Sequence, residues 1–148
     1  MANPTMTEED INRIRVLQAE IDQLQININA IEQQTALISS AISSINDAIT
    51  TQKVLKTKKP GDEILVPIGG NNYILCSVKE PKKTFISLGS GISLLTDRES
   101  SEERNIKHTE NLEDSIKQLH SQYTKFSQIL NERRQEFFQI AQKLQLTE

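Results

Sequence analysis

The chain has 148 residues, with 17 basic and 20 acidic side chains giving a formal net charge of −3. That length holds one ordinary domain, and the mixed, slightly acidic charge leaves no footprint for a nucleic-acid partner; the one basic cluster runs from Lys53 to Lys59. Aromatic residues make up 4% of the chain and Trp is absent, too little bulk for a thick globular core, so burial falls to Ile and Leu spread along narrow seams.

A single cysteine, Cys76, excludes an intrachain disulfide framework and suits a reducing compartment. No apolar run reaches membrane-spanning length and the N-terminus lacks the regions of a secretory signal. The expected location is therefore the cytoplasm, with no membrane partner.

Residues 1–7, with Pro4, read as a loose polar terminus. Thr7 ahead of Glu8, Glu9 and Asp10 reads as a hydroxyl cap followed by carboxylates that favour the positive end of a helix dipole. From there Ile14, Leu17, Ile21, Leu24, Ile28, Ile31, Thr35, Ile38, Ile42, Ile45 and Ile49 alternate three and four apart, the heptad spacing of a coiled coil. No Gly or Pro interrupts Thr5 to Lys59, and the pattern predicts a helix over 8–57, roughly 70–75 Å long at 1.5 Å per residue. A rod of that kind exposes an apolar stripe and needs a partner.

The period then changes. Lys59-Pro60-Gly61-Asp62 ends the helix, and residues 63–95 predict two β-hairpins. The first joins Glu63–Ile68 to Tyr73–Val78 through a four-residue turn, Gly69-Gly70-Asn71-Asn72. The second joins Thr84–Leu88 to Ile92–Leu95 through Gly89-Ser90-Gly91. Pro67 within a strand implies an edge or bulged position. Four short strands are marginal alone, so their apolar faces and open edges form the expected assembly platform.

A second helix is predicted over 101–146, with Ser100 and Ser101 ahead of Glu102 and Glu103 as its cap. Its seam is Leu112, Ile116, Leu119, Tyr123, Phe126, Leu130, Phe137, Ile140 and Leu144. Arg133 takes one seam position, either covering the seam with its aliphatic stem or helping to set the register. Two helices of similar length around a compact insert pair best as an antiparallel hairpin, a parallel or intermolecular pairing being the alternative. The fold class is thus α+β: a long antiparallel two-helix coiled coil with two β-hairpins inserted, the whole of 1–148 forming one domain.

No catalytic constellation is present. The glycines of both turns lack the Lys and Ser/Thr of a phosphate loop and do not open a strand-to-helix unit. His108 and His120 stand several helical turns apart without a supporting ligand set, and Cys76 has no histidine near it in sequence. An enzyme is not expected, nor any cofactor or metal. The apolar residues near the helix ends are more informative. An antiparallel hairpin gathers Met6, Ile11, Ile14, Ile140, Leu144 and Leu146 at the end away from the strands, either sealing the seam or, where the helices splay, offering a flexible apolar surface to a non-native chain. Phe137 and Phe138 lie one turn back, and Phe138, outside the strict seam, is the better candidate for exposed contact.

The order helix, two hairpins, helix, with Leu65-Val66-Pro67-Ile68-Gly69-Gly70 and Leu88-Gly89-Ser90-Gly91, resembles the alpha class of the prefoldin family over nearly the whole chain. Two hairpins separate the alpha class from the beta class, which has one. The resemblance implies an ATP-independent holdase. Two alpha-class and four beta-class subunits would join their hairpins into an intersubunit β-barrel platform, grip unfolded protein clients at the coiled-coil ends and pass them to a group II chaperonin. Platform positions implied for this chain are Ile64, Val66, Pro67, Ile68, Gly69, Gly70 and Ile74 in the first hairpin. In the second they are Ile86, Leu88, Gly89, Gly91, Ile92 and Leu94. Asn71-Asn72, Cys76, Glu80-Pro81 and the polar stretch after Leu95 depart from the commonest wording. They leave open a divergent gamma-type relative that self-polymerises into a filament.

Overall fold

The computed structural model describes residues 7–145, with side chains to 143, in the order α1 (Glu8–Lys56), β1 (Glu63–Gly69), β2 (Asn72–Ser77), β3 (Lys83–Gly89), β4 (Ile92–Asp97) and α2 (Arg98–Gln145). Residues divide into two compact units. One is built from the chain up to Ile38 and from Asp114 onward, the other from Ser39–Glu113.

In the first unit, Thr7 and Asp10 form a reciprocal cap at the start of α1. The Asp10 backbone N–H donates to Thr7 Oγ1 at 3.2 Å, and the Thr7 N–H donates to Asp10 Oδ2 at 3.2 Å. The Thr7 hydroxyl also donates to Asp10 Oδ2 at 2.9 Å, and this bond foremost, with that from the Thr7 N–H, holds the Asp10 carboxyl below its ordinary pKa. The seam of this unit buries Leu17, Ile28 and Ile31 from α1 against Leu119 and Leu130 from α2. The pairing is antiparallel: Arg13 meets Glu136, and Glu20, further along α1, meets Arg133, earlier in α2.

In the second unit, α1 ends as Thr57 and Lys58 donate to Val54 O and Leu55 O, tightening the last turn. A turn over Lys59–Asp62 follows, with Pro60 at its second position, Gly61 at φ +91° and the Asp62 N–H donating to Lys59 O at 3.1 Å. The strands form two separate two-stranded antiparallel sheets, β1–β2 and β3–β4.

Both turns are tighter than expected. Gly69 pairs with Asn72 and Gly89 with Ile92, leaving two-residue loops, Gly70-Asn71 and Ser90-Gly91. All four loop residues have positive φ, the I′ geometry whose twist matches that of the flanking strands. Just before each loop the register shifts, so Ile68 and Leu88 each stand as the extra residue of a bulge. Pro67 sits beside that bulge, as its ring requires. Each element of the second hairpin lies 20 residues after its counterpart, Glu63 matching Lys83 and Asn72 matching Ile92. The closing contacts repeat as well: Val78 N–H donates to Asp62 O, and Arg98 N–H donates to Lys82 O, both at 2.8 Å.

The start of α2 corrects the expected cap. The helix begins at Arg98, directly after β4, which itself runs on to Asp97 rather than stopping at Leu95. Ser101 therefore lies inside the helix, buried, where it accepts a hydrogen bond from Gln52 Nε2 at 2.8 Å. A seam residue, not a cap, explains the serine.

Candidate functional site

The strands carry apolar residues on both faces. In the first hairpin Leu65 and Pro67 stand opposite Leu75 and Tyr73, while Ile64 and Val66 stand opposite Cys76 and Ile74 on the other face. In the second hairpin Phe85 faces Leu95 on one side and Ile86 faces Leu94 on the other. Ile64, Val66 and Ile86 are half-buried, but the Leu65 and Phe85 faces are bare: Phe85 is 72% exposed and Leu65 65%. Tyr73, Leu75, Ile68, Leu88, Ile92 and Leu95 are exposed too. Of the residues expected on a platform, Gly69, Gly70, Gly89 and Gly91 supply positive φ at the loops.

Leu65, Tyr73, Leu75, Phe85 and Leu95 escape a reading that assigns each strand a single apolar face. The signal for them is present: Ile64-Leu65-Val66-Pro67-Ile68 is a continuous apolar run, the mark of a strand covered on both sides.

In the first unit the Arg13–Glu136 pair brings Ile14 and Phe137, neighbours of its two members, to the same level of the helical hairpin. Ile11, Ile14, Phe137 and Ile140 are half-buried against the seam, whereas Phe138 is 64% exposed. The Phe137 and Phe138 rings meet edge to face, centroids 6.3 Å apart at 85°. Met6, Leu146 and the Leu144 side chain lie outside the described residues. Arg133 fixes register rather than merely covering the seam: its Nε lies 2.7 Å from Glu20 Oε2 and its Nη1 3.5 Å from Glu136 Oε2. Beside this network an open apolar groove of about 510 Å3 is lined by Val16, Ala19 and Ile129, which lie off the heptad and which periodicity does not point to, together with the seam residue Leu24.

His108 and His120 are both exposed, and Cys76 is a half-buried free thiol. Among the described residues no three His, Cys, Asp or Glu side chains are grouped to hold a metal ion. No described helix is long and apolar enough to cross a membrane.

Comparison with known proteins agrees with this architecture. A prefoldin subunit profile matches residues 24–143. The prefoldin alpha subunit of Methanosarcina mazei is 30% identical over 118 residues, 78% of this chain and 83% of that protein. The alpha subunit of Methanobrevibacter smithii is 28% identical over 119 residues, 76% of this chain and 82% of its own. Among solved structures, the cryo-EM structure of filamentous PFD from Methanocaldococcus jannaschii superposes with a TM-score of 0.51 at 21% identity, covering 85% of this chain and 98% of that one, a likeness of fold. With two β-hairpins between two heptad helices and a profile match over most of its length, the chain belongs to the prefoldin alpha-subunit family, whose members are non-catalytic chaperone subunits.

Proposed function

We propose that this chain is an ATP-independent holdase subunit that assembles through its β-hairpins and captures unfolded protein on apolar side chains near the ends of its helices. The observation that carries the reading is the bare apolar face of each hairpin, headed by Leu65 and Phe85. Strands apolar on both faces are covered on both faces when in use, and a two-stranded hairpin needs further strands to be stable.

Self-assembly into a filament is the better-supported mode. Two hairpins of one construction, 20 residues apart, give a single chain two equivalent apolar surfaces. Heterologous pairing of such surfaces that does not close produces a filament. The shared fold with a filamentous prefoldin supports the same reading. The second reading is a closed hexamer of two alpha-class with four beta-class subunits, favoured by the alpha-subunit relatives. In both, client capture falls to Ile11, Ile14, Phe137, Phe138 and Ile140, together with Met6, Leu144 and Leu146. Burial of client side chains there needs no sequence readout and gains strength from many copies at once. Delivery to a group II chaperonin in the cytoplasm completes the proposal.

The test is absolute mass by light scattering across a concentration series, for the wild type and for Leu65→Glu with Phe85→Glu, with and without beta-class subunits. A broad mass far above a hexamer that collapses in the double variant supports the filament. A small species that grows to a defined complex only with beta-class subunits supports the hexamer. A mass indifferent to both the substitutions and the added subunits overturns assembly through the hairpins. For client capture, suppression of aggregation of a denatured protein without nucleotide should fall for Phe138→Gln with Ile140→Gln and stay unchanged for His108→Gln.

A further inference from the structure

The basic cluster that begins at Lys53 lies outside the apolar faces proposed for assembly and client capture, and the fold builds a recess from it. In the second unit, the end of α1, the turn at Pro60, the turn at Pro81 and the start of α2 enclose a cleft of about 490 Å3. Its apolar lining comes from Leu55, Pro60 and Pro81. Lys56, Lys58, Lys59 and Lys82 line it as well, and none of the four forms an ion pair among the described residues.

The carboxylates of the cleft are already engaged. Asp97 accepts from Lys83 Nζ at 2.8 Å, and Glu99 accepts from Arg98 Nη2 at 3.3 Å. Arg98 itself is buried at 5% exposure and is also ion-paired through Nη1 with Glu102 at 3.2 Å, so its charge is balanced within the wall of the cleft although its Nε has no acceptor. The frame is rigid. Pro60 and Pro81 fix φ in two turns, closed by Asp62 N–H to Lys59 O and Lys83 N–H to Glu80 O, each at 3.1 Å, and Lys59 N–H also donates to Asp62 Oδ2 at 2.8 Å. Such preorganisation lowers the entropy cost of receiving a ligand.

We infer that this cleft is a docking site for an acidic protein segment that carries an apolar side chain among its carboxylates. The four ammonium groups, none in an ion pair among the described residues, supply the charge complementarity, and the leucine and two prolines supply an apolar floor. A protein segment fits better than a nucleic acid. The cations are gathered in one recess sized for a few side chains rather than spread along a track, no aromatic platform lines it for base stacking, and the chain as a whole is negative.

The experiment is fluorescence anisotropy of the full-length chain with a labelled peptide of about twelve residues alternating Glu with Leu, since alternation presents carboxylates and apolar groups together. Binding should saturate, weaken as salt rises, and weaken again when the leucines are replaced by serine. Lys58→Glu with Lys82→Glu should lower affinity by about tenfold or more, whereas the matched change of charge Lys107→Glu with Lys125→Glu, on the exposed surface of α2 and outside the cleft, should leave it within about twofold. Lys58→Gln with Lys82→Gln gives the same direction with less disturbance of the turns, and circular dichroism verifies that both variants keep their helices. Wild-type affinity in the double variants, equal binding of a neutral peptide, or tighter binding of single-stranded DNA of equal charge would each overturn the docking site.

Discussion

The Arg13 guanidinium holds the Glu136 carboxylate with two parallel hydrogen bonds, Nε to Oε1 at 2.7 Å and Nη2 to Oε2 at 2.9 Å, between residues 123 apart in sequence. A bidentate pair of this kind is geometrically selective as well as strong. Together with Glu20–Arg133 it ties α1 to α2 at one antiparallel register, and the weaker Arg133–Glu136 contact within α2 links the two pairs.

Acid should loosen this junction. The hydrogen bond from Arg13 holds the Glu136 carboxyl below its ordinary pKa of 4.5, and the same bond raises Arg13. Because the folded-state value is the lower one, the stabilisation is fully present above the unfolded value and is lost as pH falls through the folded value. Glu136→Gln should be less stable than wild type at neutral pH, and the two should converge in acid. Urea denaturation between about pH 3 and pH 7 measures the gap; a gap that stays constant with pH would show that the carboxylate's charge is not what Arg13 holds.

Seam and surface should separate sharply. Leu17 is fully buried, and Leu17→Ala is expected to cost about 2–5 kcal/mol by lost transfer energy and cavity formation. Leu37 is 73% exposed, and Leu37→Ala should change stability by about 0.5 kcal/mol or less. Denaturant midpoints of the two variants decide this; comparable losses would mean that Leu37 is covered in solution.

The buried Gln52–Ser101 bond makes a different forecast. Gln52 Oε1 already has no partner, so Ser101→Ala, which strips Nε2 of its acceptor as well, should cost about 1–3 kcal/mol. Replacing both partners, Gln52→Leu with Ser101→Ala, should recover most of that loss, because no buried polar group is left behind. A double variant less stable than Ser101→Ala would show that the polar pair is needed for more than its own satisfaction.

The hairpin loops should discriminate between residues by φ. Asn71 at φ +59° tolerates Gly, so Asn71→Gly should be neutral or slightly stabilising. Gly70 at φ +56° would place a Cβ 3.3 Å from Asn72 Nδ2, and Gly70→Val should cost about 1–2 kcal/mol through backbone strain alone. Thermal melts of the two variants provide the measurement, and loss of the hairpin's assembly surface should accompany the second.

Much of this protein is legible in its sequence because the responsible interactions are local or periodic. The three-four spacing from Ile14 to Ile49 and from Leu112 to Leu144 names the seam before any partner is known, since only residues on one helical face can recur at that interval. The Thr7–Asp10 cap lies within one turn. Glycine pairs between apolar runs announce hairpins, although not that each loop has two residues and each first strand a bulge, because that choice follows from matching strand twist across a ladder.

What only the tertiary structure decided are the relationships that sequence spacing does not encode. Ser101 looked like a cap and proved to be a seam residue because β4 runs directly into α2 at Arg98, setting the helix start three residues earlier and turning Ser101 toward Gln52. Arg133 at a seam position reads equally well as cover or as register lock until Glu20 and Glu136 are found beside it. The lysines from Lys56 to Lys59 are an ordinary charged helix end in one dimension. They become a cleft only when the Pro81 turn and Arg98, roughly 25–40 residues later in the chain, fold against them, because charge complementarity is a property of positions in space and the chain must close its loops before it exists.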